Sequence, residues 1–162
     1  MNVEELKVIK QAILNEIEGY EFYKMAANQF NAGEGREAFL ELAEEELKHS
    51  QYLRELFENI KDGKEDDLNL SLFTDVPPPR IYKWDGLVGK NSLAVSIFGI
   101  GIDMERASIE FYKRAKKDTK SQSASRLYDI LIKWEETHLD QFTEQYNYHR
   151  EVWWAQQGYA PF

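Results

Sequence analysis

The sequence predicts an all-α protein: a four-helix bundle with a long crossover between helices 2 and 3 and an aromatic C-terminal tail. Three observations predict it. Four segments carry apolar residues at three- and four-residue steps with charges between them, the period of a helix with one buried face. Residues 61–90, between the second and third segments, lack that period. The two halves of the chain place the same side chains at the same spacings, 89 residues apart (Glu16 to Glu105, Glu46 to Glu135).

The first helix covers about residues 3–30, with Val3, Leu6, Ile9, Ile13, Ile17, Tyr20 and Met25 marking its apolar positions. The run Asn31-Ala32-Gly33-Glu34-Gly35 breaks it, because glycine loses the most conformational freedom on entering a helix. The second covers about residues 36–60 through Phe39, Leu42, Leu53, Leu56 and Phe57, and Asp62-Gly63 ends it. In residues 61–90, Pro77-Pro78-Pro79 exclude a helix and Gly86 and Gly89 punctuate the rest. A stretch that long is unusual inside a compact domain, and it is expected to carry the chain from one end of the bundle back to the other. The third helix covers about residues 91–117, with Asn91 or Ser92 as its N-cap. After the polar connector at residues 118–121, the fourth covers about residues 123–148. Residues 1–148 are thus expected to form one domain of two similar hairpins, related by a pseudo-twofold axis. The tail, residues 149–162, holds Trp153, Trp154, Tyr159 and Phe162. Such a tail is expected to dock, either on its own bundle or on a partner subunit.

Composition narrows the function. A chain of 162 residues suits one domain with a substantial core. With no cysteine, it has no disulfide framework, thiolate zinc site, Cys-held iron–sulfur cluster or Cys nucleophile. That fits a reducing cytoplasm, the expected compartment. The opening MNVEELKVIKQ lacks the apolar core of a signal peptide. The longest apolar run, residues 93–102, is interrupted by Ser96, Gly99 and Gly101, and it falls well short of the ~20 residues that span a bilayer. No membrane association is expected. The formal charge of −9 disfavours nucleic acid, whose phosphates are bound by Lys and Arg.

The repeat carries the chemistry. Glu46 and His49 are three residues apart, as are Glu135 and His138, so each pair projects from one helical face. Glu16 and Glu105 come from the preceding helix of each half, in each case 30 residues before the paired Glu. A Glu from each of two helices and a Glu-x-x-His from each of the others is the ligand pattern known from di-iron and di-manganese carboxylate bundles. Four carboxylates balance two divalent ions, and neutral imidazoles add no charge. Carboxylate and imidazole suit iron and manganese alike. A surface ion-pairing helix with exposed histidines is the plainer alternative, but it does not account for the shared offset.

The repeat also separates ligands from neighbours. Glu45 stands four residues before His49, but its equivalent in the second half is Trp134, so Glu46 is the expected ligand. Glu136 points elsewhere, and Glu21 and Glu110 are expected near the surface, with Phe22 and Phe111 in the core. Tyr23 and Tyr112 lie two turns from Glu16 and Glu105 on the same side. They are either core aromatics with satisfied hydroxyls or hydrogen-bond donors that orient a ligand carboxylate. Asp103, Asp129 and Asp140 are candidate acceptors for the histidine N–H groups. His149, three turns past His138, is expected at the surface or against the tail.

Residues 16–23 (EIEGYEFY), 46–49 (ELKH), 105–112 (ERASIEFY) and 135–138 (EETH) resemble the rubrerythrin-like branch of the ferritin-like superfamily, and the resemblance spans almost the whole chain. It implies a ferritin-like bundle holding two iron ions, with manganese as the other candidate. Glu46 and Glu135 are then the bridging ligands at the centre of catalysis, Glu16 and Glu105 are terminal, and each ion has one of His49 and His138. It implies reaction with hydrogen peroxide or dioxygen in a homo-oligomer, commonly a dimer. The alternative is an iron or manganese binding or storage protein without turnover. The chain departs from the family in two places. It carries no rubredoxin-type Cys site, so electrons are expected from an external donor such as a rubredoxin. One turn past Glu105, where rubrerythrins carry an extra Glu, it has Ser108 and Ile109, and the first-half equivalents are Gly19 and Tyr20.

Overall fold

Each of the four periodic segments forms one helix: α1 (Val3–Asn28), α2 (Glu34–Lys61), α3 (Asn91–Asp118) and α4 (Gln122–Gln156). The structure is a computed structural model that describes residues 3–30, 33–64 and 91–158. The expected crossover beyond residue 64, and the end of the tail from residue 159, lie outside the described residues. The described residues are all helical apart from turns, and they form a ferritin-like four-helix bundle. No helix among them is long and apolar enough to cross a membrane.

Local chemistry accounts for the helix ends. Gly33, with φ of 116°, precedes α2 in a conformation that a side chain would strain. At the other end of α2, Gly63 adopts φ of 73°, and its N–H donates to the Ile60 carbonyl while Asp62 N–H donates to Glu58. Ser121 caps α4, its Oγ accepting from Ala124 N–H at 3.2 Å. No Pro or Gly interrupts residues 122–157. The helix therefore runs through the stretch expected to be a separate tail and stops only before Gly158, whose φ is 85°. Trp153 and Trp154 lie on this extension as a half-buried pair, their rings 4.8 Å apart and edge to face.

α1 packs mainly on α2, and α3 on α4; the two hairpins meet along α1–α3 and α2–α4. Two apolar plugs fill the bundle. Leu6, Ile9, Leu53, Leu56, Leu127 and Leu131 belong to the first, and Phe30, Phe39, Leu42, Ile97, Phe98 and Phe142 to the second. The 89-residue offset carries one plug onto the other: Ile9 maps to Phe98, Leu53 to Phe142 and Leu42 to Leu131. The six candidate ligands belong to neither cluster, and all six are buried.

The buried line of α1 differs from the apolar positions read in the sequence. It runs Leu6, Ile9, Ala12, Glu16, Gly19, Tyr23, Ala26, whereas Val3 and Met25 are exposed and Ile13, Ile17 and Tyr20 half-buried. A helix that delivers a carboxylate to the interior puts its polar and small residues on the central line, and its large hydrophobes flank that line. For the same reason Phe22 and Phe111, expected in the core, are half-buried flanking residues. His149, expected at the surface or against the tail, is buried, with its ring stacked on Phe98 at 5.8 Å. α4 continues past it as a packed helix, so this ring is held against α3.

Glu5 ties the hairpins together near one end. Its Oε1 accepts from Thr119 Oγ1 and from Tyr128 Oη, both at 2.9 Å. Nothing in the sequence distinguishes this carboxylate from its neighbour Glu4 in the first turn of α1.

Leu42 is fully buried in the aromatic plug, and Leu40 on the same helix is exposed. Urea unfolding of Leu42→Ala is expected to show a loss of about 2–5 kcal/mol, and Leu40→Ala a change within about 0.5 kcal/mol.

Candidate metal centre

The two Glu-x-x-His turns lie on α2 and α4, and the lone Glu residues lie on α1 and α3. The bundle brings all six side chains into one layer. Glu16, Glu46, His49 and Glu135 offer atoms within 4.8 Å of one another, as do Glu46, Glu105, Glu135 and His138. Glu46 and Glu135 belong to both groups. Either group could hold a cation, and the two shared carboxylates lie where one ligand could touch both ions. Every member is at most 4% exposed.

The donor atoms suit that role. Glu16 Oε2, Glu46 Oε1, Glu105 Oε2, Glu135 Oε1 and Nδ1 of both histidines are buried and make no directed hydrogen bond among the described residues. His49 Nδ1 lies 3.3 Å from Glu135 and 3.5 Å from Glu16. His138 Nδ1 lies 3.5 Å from each of Glu46, Glu105 and Glu135. Buried polar atoms without a protein hydrogen-bond partner carry a heavy desolvation cost, and a shared cation would offset it. Oxygen and imidazole donors without sulfur fit iron or manganese.

The buried side chains of the layer shift one another's proton affinities. Burial pushes the Glu46 carboxyl well above its usual range, and repulsion from Glu135 and Glu16 adds to this. Glu105 is raised in the same way, by burial and then by Glu135. Burial would also raise Glu135, but Glu105, His138 and His49 around it outweigh that and hold it well below the ordinary carboxylate value. Burial lowers the His49 imidazole, yet Glu16 and Glu135 push it up to about 10. His138 moves upward against burial for the same kind of reason, chiefly through Glu105.

Both tyrosines reach across the pseudo-twofold. Tyr23 Oη donates to Glu105 Oε1, and Tyr112 Oη donates to Glu16 Oε1. Each phenol therefore orients the carboxylate of the opposite half. Burial, followed by the nearby carboxylates, raises both phenols well above their ordinary value, so both remain donors. The two alternatives read for these residues thus coincide: each is a buried aromatic, and its hydroxyl is satisfied by a candidate ligand.

The histidine partners lie elsewhere than expected. His138 Nε2 is 2.6 Å from Glu45 Oε2. None of the three aspartates fills that place. Asp129 pairs with Lys116 at 2.6 Å on the surface, Asp103 lines a groove with Arg106 and Arg150, and Asp140 is exposed. The mismatch between Glu45 and Trp134 across the repeat was the one signal in the sequence that set position 45 apart. Glu21, Glu110 and Glu136 are exposed.

A cavity of about 290 Å³ opens beside the layer, between α1 and α3, and is lined by Gly19, Tyr23, Glu46, Glu105, Ser108 and Phe111 among others. A Cβ at position 19 would come within 3.2 Å of Glu46 Oε2, so this glycine leaves the carboxylate room beside the opening. Ser108, one turn past Glu105, lines the same space.

The family model described as Rubrerythrin matches residues 7–146 of the chain. No curated protein and no solved structure matches it.

Cation binding requires neutral imidazoles and ionised carboxylates, so it competes with protons, first of all at His49, whose imidazole is pushed up to about 10. Adding Fe(II) or Mn(II) anaerobically to weakly buffered protein at pH 7 is expected to acidify the solution. Apparent affinity should fall as pH is lowered, by about one decade per pH unit for each proton displaced. An affinity that does not change between pH 6 and 8 contradicts this. Tyr23→Phe and Tyr112→Phe should each weaken metal affinity or activity by about 10–100-fold while leaving the helical content unchanged, as judged by circular dichroism.

Proposed function

The chain belongs to the rubrerythrin family, the ferritin-like di-iron family, and from that membership and the geometry of the buried layer we propose a cytoplasmic di-iron oxidoreductase of the peroxidase or ferroxidase type. It acts on hydrogen peroxide or dioxygen, with electrons from an external donor such as a rubredoxin. The single observation that carries this reading is that Glu46 and Glu135 each belong to both buried four-ligand groups.

In this reading Glu16 and His49 would hold one ion and Glu105 and His138 the other, with Glu46 and Glu135 available to both. When bound, the iron pair supplies one electron per ion for reductive cleavage of an O–O bond; with peroxide, two electrons and two protons yield two waters. The residues of the chain do the rest. Gly19 and Ser108 leave the cavity beside Glu46 and Glu105 open to a small diffusible oxidant. Tyr23 and Tyr112 keep a proton on each Oη and hold Glu105 and Glu16 in place. The apolar plugs cover the layer at its two ends and strengthen the charge interactions on the sides away from the cavity.

A second reading, metal binding or storage without turnover, is favoured by Ser108, which offers no additional carboxylate beside Glu105. Assembly as a homodimer is part of the proposal under either reading.

Protein purified without chelator is expected to contain close to two iron ions per chain. Stopped-flow mixing of the Fe(II)-loaded protein with peroxide should show Fe(II) oxidation well above the rate in buffer. A Glu46→Ala, Glu135→Ala double variant should retain less than one ion and lose that rate. Full metal content in the double variant contradicts the assignment, and stoichiometric binding with no accelerated Fe(II) oxidation supports the storage reading.

A further inference from the structure

The 89-residue repeat fails at one position beside the metal layer. Position 45 is Glu, and its equivalent at 134 is Trp. The pseudo-twofold exchanges His49 with His138, so these two residues stand at equivalent places beside opposite histidines. Glu45 on α2 reaches across to α4, where its Oε2 lies 2.6 Å from His138 Nε2. Trp134 on α4 reaches back to α2 and meets the His49 ring edge to face at 5.2 Å. The same indole also reaches the His138 ring, at 6.2 Å. What distinguishes the two imidazoles is therefore the carboxylate.

The consequence follows from the chemistry of each partner. With Nε2–H donated to Glu45, the lone pair of His138 is held on Nδ1, the nitrogen that faces Glu46, Glu105 and Glu135. A carboxylate at the outer nitrogen also makes the ring a stronger electron donor to a cation and adds negative charge nearby. An indole offers a donor N–H and no acceptor lone pair, so it cannot take a ring N–H in that way. His49 Nε2 makes no hydrogen bond among the described residues.

We propose that the two metal positions are unequal by construction: Glu45 makes the His138 position the tighter, first-filled one, and Trp134 in the equivalent place leaves the His49 position weaker and exchangeable. Glu45 is thus a positioning residue that acts through His138. The inference rests on the metal-binding reading above and adds an order of loading to it.

The test uses the full chain, stripped of metal by chelator, and Co(II) alone as the probe, followed by its visible absorption and by calorimetry. The wild-type protein is expected to bind in two steps whose dissociation constants differ by about 10-fold or more. Crystals grown with one equivalent should show anomalous scattering at the cobalt edge predominantly between Glu105 and His138. Glu45→Leu should weaken the first step by about 100-fold and merge the two. Glu45→Gln, which keeps the shape and an acceptor oxygen but not the charge, should weaken it by about 10-fold. The glutamine variant and the wild-type occupancies decide the matter if the leucine variant does not fold. Equal affinities with cobalt spread evenly over both positions overturn the inference and leave the metal site standing, as does a first step unaffected by the glutamine substitution. Failure of the wild-type protein to bind Co(II) at either position overturns the metal reading itself, and the order of loading with it.

Discussion

Burying four carboxylates and two imidazoles at the middle of a helical bundle is the constraint on which the rest of this structure depends. Ionised groups removed from water must find partners or shed their charge. Here the partners are one another, arranged so that two overlapping groups of four share Glu46 and Glu135. The plugs formed by Leu6, Leu53 and Leu127 in one case, and by Phe39, Phe98 and Phe142 in the other, supply the apolar burial that stabilises the bundle around so unfavourable a layer.

That layer also sets how the two hairpins meet. α1 packs mostly on α2 and α3 mostly on α4, with narrower contact between hairpins. Hydrogen bonds from Tyr23 to Glu105, from Tyr112 to Glu16 and between His138 and Glu45 all cross from one hairpin to the other. Glu5 adds a further crossing through Thr119 and Tyr128. Hydrophobic packing tolerates small slips between helices, whereas hydrogen bonds that close only at one register do not. The polar groups therefore specify the alignment that the apolar plugs stabilise, and the cation site is formed at the seam.

Pseudo-symmetry accounts for much of what was legible in advance. The six candidate ligands were visible because a functional spacing occurred twice, and a repeated pattern is far rarer than a single Glu-x-x-His in an acidic helix. α4 runs to Gln156, past the boundary near residue 148 that aromatic residues near a chain end suggest. The absence of Pro and Gly before Gly158 was the better guide. The i, i+4 spacing relates Glu45 only to His49 on its own helix, and the Trp at the equivalent position 134 argues against Glu45 as a ligand; neither reveals that its partner is His138 of the other hairpin. The burial of His149, expected at the surface or against the tail, is not legible along the chain, because nothing in the local pattern reveals that Phe98 lies across from it.

The sequence by itself determined the helices, their pairing into two hairpins, and the identity of the six side chains that could face a shared cation. Those are properties of local periodicity and of a repeat, and both are written along the chain. Tertiary structure alone decided which half each tyrosine serves, that Glu45 rather than an aspartate holds a histidine, and that a glycine and a serine border an opening to the layer. These depend on how one hairpin is turned against the other, and helical spacing within a single hairpin carries no information about that rotation.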